Sequence, residues 1–78
     1  MYQGWKNWGT WNAALHLNNE EPAYRDRVER MEQTGQATSF LARRVYQDHF
    51  PNGTPDMEGD SCLDQIDFDE IAEDWNEL

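Results

Sequence analysis

The sequence predicts an all-α fold: a small bundle of three to four short helices behind an aromatic N-terminal lead-in. Three observations carry this expectation. Apolar residues recur at helical spacing in several segments, and no alternating apolar and polar run is long enough to compel a strand. Helix start and stop residues flank those segments. Ten aromatics, including Trp5, Trp8, Trp11 and Trp75, each bury ~150–250 Å² and so supply the core that a short chain otherwise lacks. A chain of 78 residues removes only about 60% of its unfolded surface from water. It is therefore read as one domain, 1–78, with no room for a deep cofactor pocket.

In chain order, Tyr2 to Trp11 is aromatic and broken by Gly4 and Gly9, which predicts an irregular lead-in that wraps onto the core. Thr10 is the expected N-cap of a first helix, with Trp11, Ala14, Leu15 and Leu17 on its apolar side and Asn18–Asn19 at its end. Pro22 suits a first helical position, where its missing N–H costs nothing, with Glu20 and Glu21 at the positive end of the helix dipole. Tyr24, Val28 and Met31 follow at helical spacing. The charged residues Glu21, Arg25, Asp26, Glu29 and Arg30 pair among themselves at i, i+4, and Gly35 caps the end.

Thr38 or Ser39 is expected to open a third helix whose apolar stripe is Leu41, Ala42, Val45, Tyr46 and His49. Pro51 stops it. The run Pro51-Asn52-Gly53-Thr54-Pro55 is a loop, and Asp60 or Ser61 opens a single turn that contains Leu63 and Ile66. A last helix begins at Asp67, which with Glu70 three residues on is a capping-box variant. Its apolar side is Phe68, Ile71, Trp75 and Leu78, and its other side is acidic.

Charge is the most informative property of the chain. Sixteen Asp and Glu against six Lys and Arg give a formal net charge of -10. Residues 1–55 hold six acids and six bases, a charge-neutral helical scaffold. Residues 56–78 hold ten acids and no base, so this segment supplies the whole net charge. From Asp67 to Glu77 six carboxylates lie on about 16 Å of helix, one per ~2.7 Å. B-DNA carries one charge per ~1.7 Å of axis, or ~3.4 Å along one strand. Asp69, Glu73 and Glu77 form one row and Glu70 and Asp74 a second. Like charges at i, i+4 repel, and no Lys or Arg is interleaved to relieve them.

Other chemistries fit less well. Asp56, Glu58, Asp60, Asp64 and Asp67 fall at positions 1, 3, 5, 9 and 12 of a calcium loop. The sharp-turn glycine is absent from position 6, which is Ser61, and position 12 is Asp rather than Glu. Cys62 with His16 or His49 could form a nucleophilic dyad, but Asp60 and Asp64 would suppress the thiolate. One Cys and two scattered His give no zinc spacing. A single cysteine forms no internal disulfide, as suits a reducing compartment. Nothing approaches the roughly 20 apolar residues of a membrane span, and the opening residues are no signal peptide. Base stacking by Trp5, Trp8 and Trp11 would need a basic groove; these residues are read as core and wrapping residues. No enzymatic activity, cofactor or metal is expected.

The run Tyr2-Gln3-Gly4-Trp5-Lys6-Asn7-Trp8-Gly9-Thr10-Trp11-Asn12-Ala13-Ala14-Leu15 resembles the opening of a family of small proteins of phages, plasmids and haloarchaeal elements. These begin Tyr-x-Gly-Trp-x-Asn-Tyr-x-Thr-Trp-Asn-x-x-Leu. The later Asp67-Phe68-Asp69-Glu70-Ile71-Ala72-Glu73 is similar to the closing helix of that family. Trp8 and Gly9 depart from its usual Tyr-Glu, and the region from Pro51 to Ser61 is shorter. The resemblance implies a mobile-element origin, where small acidic proteins often inhibit host nucleases as anti-CRISPR or anti-restriction DNA mimics; it transfers no functional residues.

The expectation is thus a phage-encoded, non-enzymatic inhibitor, cytoplasmic in the infected cell and monomeric. It presents Asp60, Asp64, Asp69, Glu70, Glu73, Asp74 and Glu77 to a basic nucleic-acid-binding protein, a CRISPR effector complex above all, and contacts neither nucleic acid nor membrane itself. The alternative is a general adaptor that binds through exposed aromatics such as Trp5 or Trp8.

Overall fold

The lead-in is more ordered than its glycines suggest. Tyr2 and Trp5 exchange both backbone hydrogen bonds, at 2.6 and 2.7 Å, around Gln3 and Gly4, whose φ values are 49° and 87°. Two successive positive φ angles make a tight turn, and glycine supplies the second at no steric cost. The turn sets the Tyr2 ring 5.0 Å from Trp11. Trp5 and Trp8 are half-buried and pack on the core.

The computed structural model describes residues 2–56 and 63–77. The described part is an all-α bundle of four helices: α1 (Trp8–Asn19), α2 (Glu21–Thr34), α3 (Ser39–His49) and α4 (Phe68–Asn76). A short 3₁₀ turn at 63–65 precedes α4. Leu63 and Gln65 lie in that turn and Ile66 just beyond it, while Asp60, Ser61 and Cys62 fall outside the described residues.

α1 begins three residues earlier than the Thr10 cap implies. Asn7 is the N-cap, its Oδ1 accepting from Thr10 N at 2.8 Å. With that start, Thr10, Ala13, Ala14 and Leu17 form the buried stripe, Trp11 is half-buried and Leu15 faces outward. Thr10 is a core residue because its hydroxyl has partners of its own across the fold. Glu20 is at once the C-cap of α1 and the N-cap of α2, so the two helices turn on one extended residue with Pro22 in the first turn of α2.

α2 is rotated relative to the expected Tyr24–Val28–Met31 stripe. Its buried residues are Ala23 and Arg27, whereas Tyr24 is 46% exposed. The guanidinium of Arg27 stacks over Tyr24 and Trp75 at 4.7 and 5.0 Å, which lets a cationic residue occupy the inward position. Gly35 ends the helix at φ 88°. Thr38 caps α3, its hydroxyl accepting from Leu41 N at 3.1 Å. Leu41, Ala42, Val45 and Tyr46 are buried as their spacing predicts.

α4 packs chiefly against α3 and also on α1. Phe68, Ile71, Ala72 and Trp75 are its buried face; Leu78 lies outside the described residues. Tyr46 meets Phe68 edge-on at 5.7 Å, closing the core between α3 and α4. No helix is long and apolar enough to cross a membrane.

Candidate functional site

Burial of one face of α4 decides where its acids point. At about 100° per residue, Phe68, Ile71, Ala72 and Trp75 occupy one arc, and Asp69, Glu70, Glu73, Asp74 and Glu77 span about 140° on the opposite side. Asp69, Glu73 and Glu77 are exposed, and Glu70 and Asp74 are half-buried. No Lys or Arg forms an ion pair with any of these five carboxylates among the described residues. Lys6 pairs instead with Asp67 at the N-cap, its Nζ 3.7 Å from the carboxylate.

The acidic arc divides into two shallow clefts. Glu70, Glu73, Asp74 and Glu77 line one together with Gly4 and Trp5 of the lead-in. Asp64 and Asp69 lie in the other, beside Lys6, Ser39 and Asp67. The seven acids singled out from the sequence therefore do not form one row. Four share a cleft, two sit round the corner next to a lysine, and Asp60 lies outside the described residues.

Five hydrogen bonds hold this like-charged helix in place. Asp67 N donates to Thr10 Oγ1 at 2.9 Å. Lys6 N donates to Glu70 Oε1 at 2.9 Å. Trp75 Nε1 donates to Asn18 Oδ1 at 3.1 Å. Ala37 N donates to Asn76 Oδ1 at 2.7 Å, and Asn76 Nδ2 returns a bond to Ala37 O at 2.9 Å. The capping box is thereby half-formed: Asp67 Oδ1 accepts from Glu70 N at 3.1 Å, while the Glu70 carboxylate reaches the lead-in instead of the Asp67 amide. Glu70 is a structural staple as well as part of the acidic surface.

A second polar cluster went unrecognised in the sequence. Asn12, 1% exposed, donates from Nδ2 to Asp56 at 2.9 Å and accepts from the buried Thr54 hydroxyl. His16 Nε2 stands 3.0 Å from the same Asp56 oxygen. The hydrogen bond with His16 first, then that from Asn12, hold the Asp56 carboxyl below its ordinary range. Asp56 is thus a clasp between α1 and the loop after α3; Glu58 and Asp60 of the calcium-loop spacing lie outside the described residues. Among the described residues no three His, Cys, Asp or Glu side chains are placed to hold a metal. The only hint was local: Asn12 lies on the inward side of α1 once the helix starts at Trp8.

A third cluster ties α2 to α3. Asp26 accepts from Arg30 Nε at 2.7 Å and stands 2.9 Å from His49 Nε2, and Arg30 also reaches Asp48 at 2.6 Å. The Arg30 hydrogen bond lowers the Asp26 pKa most; burial opposes it and His49 adds to it. His49, expected within the apolar stripe of α3, is half-buried at its edge because Asp26 partners it.

A family model described as a family of unknown function (DUF7249) matches residues 1–78. No curated protein and no solved structure matches the chain.

Proposed function

We propose that this chain, which belongs to the family of unknown function DUF7249, is a non-enzymatic inhibitor. It sets the acidic face of α4 against a Lys- and Arg-rich nucleic-acid channel of a larger protein. The observation that carries this reading is the arc of five carboxylates on α4, none neutralised by a described Lys or Arg. Two costs support it. Asp69, Glu73 and Glu77 repel one another at i, i+4. Glu73, Asp74 and Glu77 also crowd the C-terminal end of α4, where the helix dipole favours cations and no basic residue stands in the last turn. Interleaved lysines would relieve both costs.

The resemblance of the N-terminal run to proteins of mobile elements directs the choice of target to host defence, with a CRISPR effector complex first. The test is displacement of labelled target DNA from such an effector. The native chain competes with DNA, and the Asp69→Lys/Glu73→Lys/Glu77→Lys variant does not. Equal competition by the variant overturns the reading.

The adaptor alternative rests on a different surface from the one the sequence suggested. Trp5 and Trp8 are packed on the core, and the most exposed large aromatic is Phe40 at 72%. Loss of partner binding on Phe40→Ala, with the α4 reversals silent, would favour it.

A further inference from the structure

Arg27 is the one buried charged residue of the described core, 5% exposed. Its Nε is buried with no hydrogen-bond partner among the described residues. No carboxylate pairs with it there, although the chain carries sixteen acids. Its guanidinium lies over the rings of Tyr24 and Trp75. Those contacts offset part of the desolvation of the charge but give its buried Nε–H no acceptor. Arg27, Tyr24 and Trp75 line an open cleft with the apolar side chains of Val28 and Met31, and with Glu32.

We propose that this cleft, independent of the acidic face of α4, is a binding site for a monoanionic carboxylate carried on an aromatic or apolar group. The carboxylate accepts hydrogen bonds from the unpartnered guanidinium, whose planar fork matches it. The apolar body of the ligand lies against Val28, Met31 and the Tyr24 ring, which is 46% exposed and so accessible. Glu32 in the same cleft favours the lower ligand charge: a dianion such as a phosphate monoester meets more repulsion from it than a single carboxylate does. Two sources share this chemistry, a free aromatic acid and the C-terminal carboxylate of a peptide that ends in an apolar residue.

The experiment follows the Arg27 Nε–H resonance in ¹H–¹⁵N spectra of the full chain, assigned by its loss in Arg27→Met. Benzoate, a peptide ending in free phenylalanine, the same peptide as its amide, benzamide, and sodium chloride at equal ionic strength are titrated separately. A saturable shift with benzoate, or with the free-acid peptide alone, supports the site and identifies the source. Affinity should fall about tenfold or more for the neutral amides, the worth of a charge-assisted hydrogen bond. No saturable shift with either acid overturns the proposal, as does an equal shift with benzamide or with chloride. The ligand arms use the native chain, and Arg27→Lys, which also lacks the Nε–H, supplies the assignment if Arg27→Met folds poorly.

Discussion

The amide of Asp67 donates to the hydroxyl of Thr10 at 2.9 Å, so a buried residue of α1 anchors the start of the acidic helix. Thr10 is wholly buried, and its hydroxyl also donates to Asn7 Oδ1 at 2.8 Å. Two helix starts are thereby locked to each other. Thr10→Val removes an acceptor without opening a cavity and leaves the Asp67 amide unpaired, at a cost of about 1–3 kcal/mol. Thr10→Ser keeps the hydroxyl and should lose less. Urea denaturation of the two variants checks this, and equal losses would refute the hydrogen bond as the cause.

Gly35→Ala tests the end of α2. A Cβ there meets nothing within 4 Å, yet φ is +88°, so the penalty is one of backbone conformation alone. The expected loss is about 1–2 kcal/mol, read as a lower urea midpoint with unchanged slope.

Asp26 and Asp56 should shape the acid limb of the stability curve. Both carboxyls are depressed below 3.8, Asp26 first by Arg30 and Asp56 first by His16. A depressed acid contributes stability that is fully present above its unfolded pKa and is lost as pH falls through the folded value. Asp26→Asn should therefore cost about 1 kcal/mol near neutrality and progressively less as pH falls below 3.8. Asp56→Asn should act in the same direction. Denaturation at neutral and acid pH separates this from a pH-independent packing loss.

Glu73→Lys should move stability and binding in opposite directions. It converts two repulsive i, i+4 pairs, with Asp69 and Glu77, into attractive ones, worth ~0.2–0.5 kcal/mol each, and places a cation toward the negative end of the helix dipole. The thermal midpoint should rise slightly while competition with DNA falls. A variant that is more stable and equally inhibitory would remove the functional reason for the acidic row.

Salt gives the last check on the proposed docking. Exposed charges are screened beyond about 8 Å at physiological ionic strength, so affinity for a basic channel should fall steeply between low and moderate salt. Binding through Phe40 would change little. A flat salt response in the native chain argues against the acidic face as the contact.

Much of the bundle was legible in the sequence because its signals are local. The stripes of α3 and α4, the caps at Thr38 and Asp67 and the left-handed Gly35 depend only on residues within one or two turns. α1 and α2 were misphased for one shared reason: polar residues face inward there. Thr10, Asn12 and Arg27 read as surface residues by type, and partners 42 to 57 residues away, or the Trp75 ring, make their burial tolerable. Spacing along one helix carries no trace of such partners.

The acidic site divides in the same way. That ten acids and no base occupy residues 56–78, and that the α4 acids lie opposite its apolar stripe, follow from the sequence, since a helix period and a charge count suffice. Tertiary structure alone decided that Glu70 is tied to Lys6, that Asp64 and Asp69 share a cleft with that lysine, and that Trp5 joins four carboxylates in one cleft. Those outcomes depend on where the lead-in crosses α4, which long-range hydrogen bonds and ring packing determine.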